Sequence, residues 1–230
     1  MSAVSHGGVK IGDMNAFSAS VRHEPRWPAI VAVLAIGGLY MALPDSLAVG
    51  PRWLAPAIVL ALLVPGIITH HMGWGRANHL LGVLLSGAIT LFMVWSLALL
   101  VRALPSHKEP AVTMLRSAAA LWWTNVLVFA VWYWRLDAGG PRLRSGRPHH
   151  ESGAFLFPQM QFAQSSPLLS GKPWSPRFID YLFLAFNTST ALSPTDAPIL
   201  SRWAKVLVMT QASISLTVIA ILLGRAINIL

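Results

Sequence analysis

Residues 78–102 read NHLLGVLLSGAITLFMVWSLALLVR. Between Asn78 and Arg102 the stretch contains no Asp, Glu, Lys or Arg. A helix of this length, rising about 1.5 Å per residue, crosses the roughly 30 Å hydrocarbon core of a bilayer with some tilt. The small residues at positions 86–88 suit close packing against another helix. The stretch therefore predicts a transmembrane helix.

Four further apolar blocks flank this one. They are residues 27–43, 53–69, 116–135 and 206–224. The whole chain is 55% hydrophobic and only 11% charged, whereas soluble domains average about 25% charged residues. So few charges cannot cover a water-facing surface. We therefore expect an all-α integral membrane protein with about five transmembrane helices, multi-pass in the cell's plasma (inner) membrane.

The charge balance and the residue types exclude several classes of function. The formal net charge is +9 and there is no cysteine. The basic residues lie mostly in loops and tails, so membrane orientation and anionic headgroups explain them, and no nucleic-acid partner is expected. His70-His71 and His149-His150-Glu151 have no third ligand at a useful spacing, which favours loop or interfacial histidines over a metal site. Without a set of nucleophile, base and metal ligands, we expect neither an enzyme nor a cofactor.

Composition divides the chain into four parts. Residues 1–26 form a polar N-terminal tail, and 27–134 form a four-helix transmembrane region. Residues 135–176 form a basic loop rich in Pro and Gly, followed by a C-terminal part at 177–230. Asn125 lies inside the fourth predicted span, where we expect it to hydrogen-bond another helix.

The segment 178–196 begins as an apolar helix and ends too polar to cross a bilayer. Apart from Asp180 it is apolar as far as Phe186, and hydroxyl and amide side chains then dominate. Irregular backbone exposed to lipid would leave polar groups unsatisfied. The segment therefore predicts either an interfacial helix followed by a solvated turn, or a short re-entrant helix packed inside protein beside a water-filled space.

Residues 177–230 resemble the pore module of two-transmembrane potassium channels. That module has a short pore helix, a Thr-rich filter ending in Gly-Tyr-Gly-Asp, then Pro, a basic residue and an inner helix. The tetrapeptide at 180–183 matches the start of the pore helix, and the stretch STALSPTD at 189–196 matches the filter region. Pro198, Ser201-Arg202 and an apolar helix follow. The whole chain is also similar to a group of uncharacterised bacterial membrane proteins with the same Ser-Pro-Thr-Asp motif.

The resemblance implies an oligomer, a tetramer for a channel, that passes monovalent cations. The filter-like residues it indicates are Thr188, Ser189, Thr190, Ser193, Pro194, Thr195 and Asp196. Where the family has Gly-Tyr-Gly, this chain has Ser-Pro-Thr. Proline fixes φ near −65° and removes a donor, so a potassium-selective filter of the usual geometry is not expected.

Two interpretations stay open. One is a pore with a degenerate filter, lined by hydroxyl groups and with Asp196 attracting cations. The other is a non-conducting membrane scaffold or partner-binding protein, whose basic loop contacts lipid or another protein. Two criteria also disagree on orientation. With five spans, twelve Lys and Arg against five favour a cytoplasmic N-terminus, whereas a potassium-channel pore loop faces outside and requires the reverse.

Overall fold

The computed structural model describes residues 24–106, 110–145, 153–162, 174–190 and 197–227. Within these ranges the regular structure is helical, with one isolated antiparallel β-bridge between Phe155 and Ile199. The α-helices of the described residues are α1 (Trp27–Met41), α2 (Leu54–His71), α3 (Gly75–Ala103), α4 (Ala111–Leu136), α5 (Pro141–Ser145), α6 (Pro158–Phe162), α7 (Phe178–Thr190) and α8 (Arg202–Ile227).

Four of these helices, α2, α3, α4 and α8, are long and apolar enough to cross a membrane. The first predicted span forms α1, which has 15 residues and so a length of about 22 Å. This is shorter than the hydrocarbon core. The chain leaves the helix before Pro44, because the residue preceding a proline disfavours helical dihedral angles. The expected five apolar helices are present, but only four reach spanning length.

The long helices alternate in direction, so one end of the bundle gathers their basic residues. Just before α1, Arg26 Nη1 donates to Asn78 Oδ1 at the start of α3, at 3.2 Å. At the end of α4, Trp134 Nε1 donates to Glu24 Oε1 at 2.5 Å. We call this the basic end, defined by Arg26, Arg76, Arg135 and Arg142. At the opposite end, Arg225 Nη2 at the close of α8 donates to the Leu104 carbonyl at 2.8 Å.

The described parts of the segment 135–176 contain helices where a loop was predicted. Its first two residues belong to α4, and it contains the five-residue helices α5 and α6. Phe155 is fully buried, with its ring 5.1 Å from that of Tyr133 and 6.3 Å from those of Tyr181 and Trp203. Burial of aromatic rings is energetically favourable, so the chain around Phe155 packs against the bundle rather than extending from it.

Helix α4 lies at the centre of the bundle. It packs against α1, α3, α7 and α8 and is the most buried of the four long helices. The other three keep large apolar side chains exposed along their outer faces, including Leu60, Leu91 and Leu216. Because α4 contacts both the N-terminal helices and α7, it connects the N-terminal part of the bundle with the part formed by α7 and α8.

Candidate functional site

Helix α7 reaches only half-way along the bundle. It starts at the basic end, where the Phe178 ring lies 6.0 Å from that of Trp134. Near its end, the Ser189 carbonyl accepts a hydrogen bond from Trp122 Nε1 at 3.4 Å. Trp122 lies twelve residues before Trp134 on α4, or about 18 Å along the helix. The C-terminal end of α7 is therefore near the middle of the bundle.

After α7 the described chain is again at the basic end. The Leu156 amide donates to the Pro198 carbonyl at 2.9 Å, and the Leu200 amide donates to the Ala154 carbonyl at 2.8 Å. Helix α8 then runs from here to the opposite end. The chain thus enters and leaves the half-depth position of α7 from the same end of the bundle.

The sequence of α7 explains its packing. The buried residues recur every three or four positions, which places them on one helical face: Phe178, Tyr181, Leu184, Ala185, Thr188 and Ser189. Ile179 and Phe183 lie on the other face and are exposed. The buried face lies against α4 and α8.

The predicted filter-like residues within α7 face the protein interior. The Thr188 hydroxyl is buried and donates to the Leu184 carbonyl at 2.9 Å. Ser189 is fully buried, and the half-buried Thr190 donates to the Asn187 carbonyl at 2.9 Å. The other four, Ser193, Pro194, Thr195 and Asp196, lie outside the described residues. The structure therefore places three of the seven, and it places two of them inside the protomer.

Gln211 on α8 holds α7 in place. Its Nε2 donates to Ser189 Oγ and to the Ala185 carbonyl, both at 2.7 Å, and its Oε1 accepts from the Tyr133 hydroxyl at 2.5 Å. Asn125 Nδ2 donates to Ser215 Oγ at 2.7 Å, which confirms the predicted bond between helices. We call these residues the polar network: Asn125, Tyr133, Ser189, Gln211 and Ser215. It connects α4, α7 and α8 at mid-bundle.

The start of α7 is fixed by a second set of polar contacts. The Tyr181 hydroxyl donates to Asp137 Oδ2 at 2.5 Å, and Asp137 Oδ1 accepts from the Ala154 amide at 2.5 Å. The guanidinium of Arg144 lies over the Tyr181 ring, 5.0 Å from its centre. Both ends of α7 are thus held by hydrogen bonds to the rest of the chain.

A stripe of small residues on α8 was not predicted. Thr210, Ser213, Thr217, Ala220 and Gly224 follow one another at intervals of three and four and are all exposed. The three hydroxyls each donate to the carbonyl four residues earlier at 2.9 Å, so they are satisfied within the helix. The sequence signal was the spacing, because small residues at helical intervals let a second helix approach closely.

Among the described residues, no group of three or more His, Asp or Glu side chains is placed to hold a metal ion.

The fold and the site define a helical bundle with a half-depth helix in front of its last long helix. Comparison with protein-family models, with curated proteins and with solved structures finds no match.

Proposed function

We propose that this chain is a multi-pass membrane protein of the plasma (inner) membrane, in which the short helix α1 forms a fifth crossing. The large apolar side chains on the outside of the bundle support the proposal. Leu91 on α3 is 66% exposed and Leu216 on α8 is 63% exposed. Apolar surface this extensive needs a cover, and lipid supplies it.

Within that protein, α7 and α8 form a pore-like module that passes cations through an oligomer. The observation that carries this proposal is the half-depth position of α7 between two passages of the chain at one end. A chain that turns back at membrane depth must be buried in protein or line a water-filled space, and the second arrangement is that of a pore loop. The C-terminal end of a helix also carries partial negative charge, which favours a cation near mid-bundle.

The predicted filter-like residues have two different roles in this proposal. Thr188 and Ser189 are buried inside the protomer, so their role is to position α7. Thr190 and the segment that contains Ser193, Pro194, Thr195 and Asp196 remain as the pore lining. The stripe on α8 supplies the contact between copies, and the resemblance to potassium channels implies four of them.

The charge distribution supports a cytoplasmic basic end. Among the described residues, eight Lys and Arg lie at this end and four at the other. The eight are Arg26, Arg76, Arg135, Arg142, Arg144, Arg177, Arg202 and Lys205, against Arg52, Arg102, Arg116 and Arg225. Under the positive-inside rule α7 enters from the cytoplasm, which is opposite to the potassium channels that the segment resembles.

Flux through reconstituted vesicles tests the pore. The purified protein in liposomes should release monovalent cations, and Thr190→Ala or Asp196→Ala should change the rate. Ala220→Leu on the stripe should abolish flux and oligomer together. Ala119→Leu, at an exposed alanine of α4, is the matched control and should change neither. Sealed vesicles containing a folded oligomer of the wild-type chain would rule out conduction.

The buried position of Thr188 and Ser189 favours a second candidate, a non-conducting scaffold. These hydroxyls hold helices together instead of facing a pathway. In that case the basic segment 135–176 contacts lipid or a partner protein. This candidate predicts a stable oligomer that co-purifies with partners and leaves vesicles sealed.

A further inference from the structure

A large cavity opens at the basic end between α1, α2, α3 and α4. Its volume is about 820 Å³, within the range of about 300–1,000 Å³ typical of small-molecule sites. The described lining contains four arginines, three histidines and a single acid. These are Arg26, Arg76, Arg135, Arg142, His70, His71, His79 and Glu24.

The one acid does not neutralise these arginines. The Glu24 carboxylate bonds to Arg144, which is not part of the lining, at 2.8 Å, and it accepts from Trp134. Arg135 Nε is buried and has no hydrogen-bond partner among the described residues. Burial lowers the pKa of Arg26, an effect that Glu24 opposes and Arg142 adds to. The cavity thus holds an excess of positive charge, which favours a bound anion.

Two glycines of α3 make room for two of the arginines. A Cβ on Gly82 would overlap the guanidinium of Arg135, and a Cβ on Gly75 would overlap that of Arg142. Each pair is separated by seven residues, Gly75 from Gly82 and Arg135 from Arg142, so both guanidinium groups lie along one face of α3. Arg142 Nη1 also donates to the Gly73 carbonyl at 3.1 Å. Arg135 is thus half-buried against α3, whereas Arg142 is fixed at the exposed mouth of the cavity.

The deeper walls of the cavity are apolar. Ile30 and Val33 come from α1, Leu62 and Leu63 from α2, and Leu85 from α3. Leu85 lies ten residues into α3, so the apolar part extends about 15 Å from the basic mouth. Charge at the mouth and apolar walls below match a molecule with an anionic head and a hydrocarbon tail.

We propose that this cavity is a binding site for a phosphate-bearing anion, with Arg135 as its central ligand and Gly82 as the residue that positions Arg135. The apolar walls favour a phospholipid with an anionic headgroup as the source of the phosphate. Basic pockets between membrane helices on the cytoplasmic side are a known way to hold such headgroups. The proposal does not depend on the pore, since α7 and α8 do not line the cavity.

Native mass spectrometry of delipidated protein in detergent tests the site. The probes are phosphatidylglycerol, phosphatidylcholine with the same acyl chains, and inorganic phosphate. Phosphatidylglycerol should bind at least tenfold more tightly than phosphatidylcholine. Arg135→Gln and Gly82→Ala should each weaken it about tenfold or more, because a charge-assisted contact is lost or displaced. Arg116→Gln at the opposite end and Gly87→Ala, which meets open space on the same helix, are the controls.

The outcomes separate the two sources of phosphate. If inorganic phosphate binds alone and displaces phosphatidylglycerol, the anion site stands and its natural ligand is soluble. If phosphate at millimolar concentration does not compete, the lipid is the ligand. Equal binding of both lipids, or wild-type affinity in folded Arg135→Gln and Gly82→Ala proteins, would overturn the proposal. Size-exclusion elution and thermal midpoint establish that each variant is folded.

Discussion

Polar side chains are buried in two regions of this molecule, and the two regions treat them differently. In the polar network, Gln211 makes three hydrogen bonds to protein groups, and only Asn125 Oδ1 lacks a partner among the described residues. In the basic cavity, Arg135 Nε is buried without a described partner, and Arg135 is one of the residues that line the cavity. Leaving a buried polar group unpaired costs about 1–3 kcal/mol. The first region therefore contributes to stability, and the second is the one for which we propose a ligand.

Two arginines nine residues apart make the same contrast. Arg144 is 1% exposed, bonds both carboxylate oxygens of Glu24, and donates to the carbonyls of Trp134 and Asp137. Among the described residues Arg135 makes no hydrogen bond, and its guanidinium lies against Gly82 and 5.9 Å from the centre of the Trp134 ring. One guanidinium is saturated by the fold, whereas the other keeps its donors for a ligand.

Arg144→Gln should give the largest loss of stability. It breaks a buried ion pair and leaves the Glu24 carboxylate buried, so we expect the free energy of unfolding to fall by about 3–5 kcal/mol. Equilibrium unfolding of the protein in detergent measures this. Arg116→Gln removes the same charge from an exposed site at the other end and should change stability by less than about 0.5 kcal/mol. A loss below about 1 kcal/mol for Arg144→Gln would mean that the ion pair does not hold this end together.

Gln211→Leu should have the next largest effect. The substitution keeps a similar volume but removes the partners of Tyr133 Oη and Ser189 Oγ, so stability should fall by about 2 kcal/mol. Met209→Leu, at an exposed position of α8 outside the stripe, is the control and should be near neutral. The same unfolding assay serves both variants. If Gln211→Leu unfolds like wild type, the polar network does not fix α7.

The sequence predicted the helices well because hydropathy is a local property. The stretch at 78–102 lies within α3, and the polar end of 178–196 correctly indicated a helix shorter than a span. The length of α1 was overestimated, since hydropathy does not register the turn before Pro44. Asn125 was predicted to bond another helix, but its partner Ser215 is 90 residues away and could not be identified.

The two polar regions were much harder to predict, because each depends on packing between distant segments. Ser189 was predicted as a filter residue from its neighbours in sequence, and only the position of Gln211 on α8 shows its role inside the protomer. In the cavity, neither Gly82 nor Arg135 indicates a binding site by itself. Nothing in the sequence around either residue indicates that the two are in contact. The spacing of seven places Gly75 and Gly82 on one face of α3, but it carries no such meaning for Arg135 and Arg142, since α4 ends at Leu136.

Arg135→Gln should give the smallest change in stability, and it tests the contrast between Arg135 and Arg144 most directly. Without ligand the substitution removes no hydrogen bond or ion pair among the described residues, only the contact of the guanidinium with the Trp134 ring 5.9 Å away, so the free energy of unfolding should change by no more than about 1 kcal/mol. The unfolding assay used for Arg144→Gln measures it under identical conditions. Added phosphatidylglycerol should then stabilise the wild type and leave Arg135→Gln nearly unaffected, because a ligand stabilises only the state that binds it. A loss as large as that of Arg144→Gln would make Arg135 a structural residue, and the distinction between the two arginines would fail.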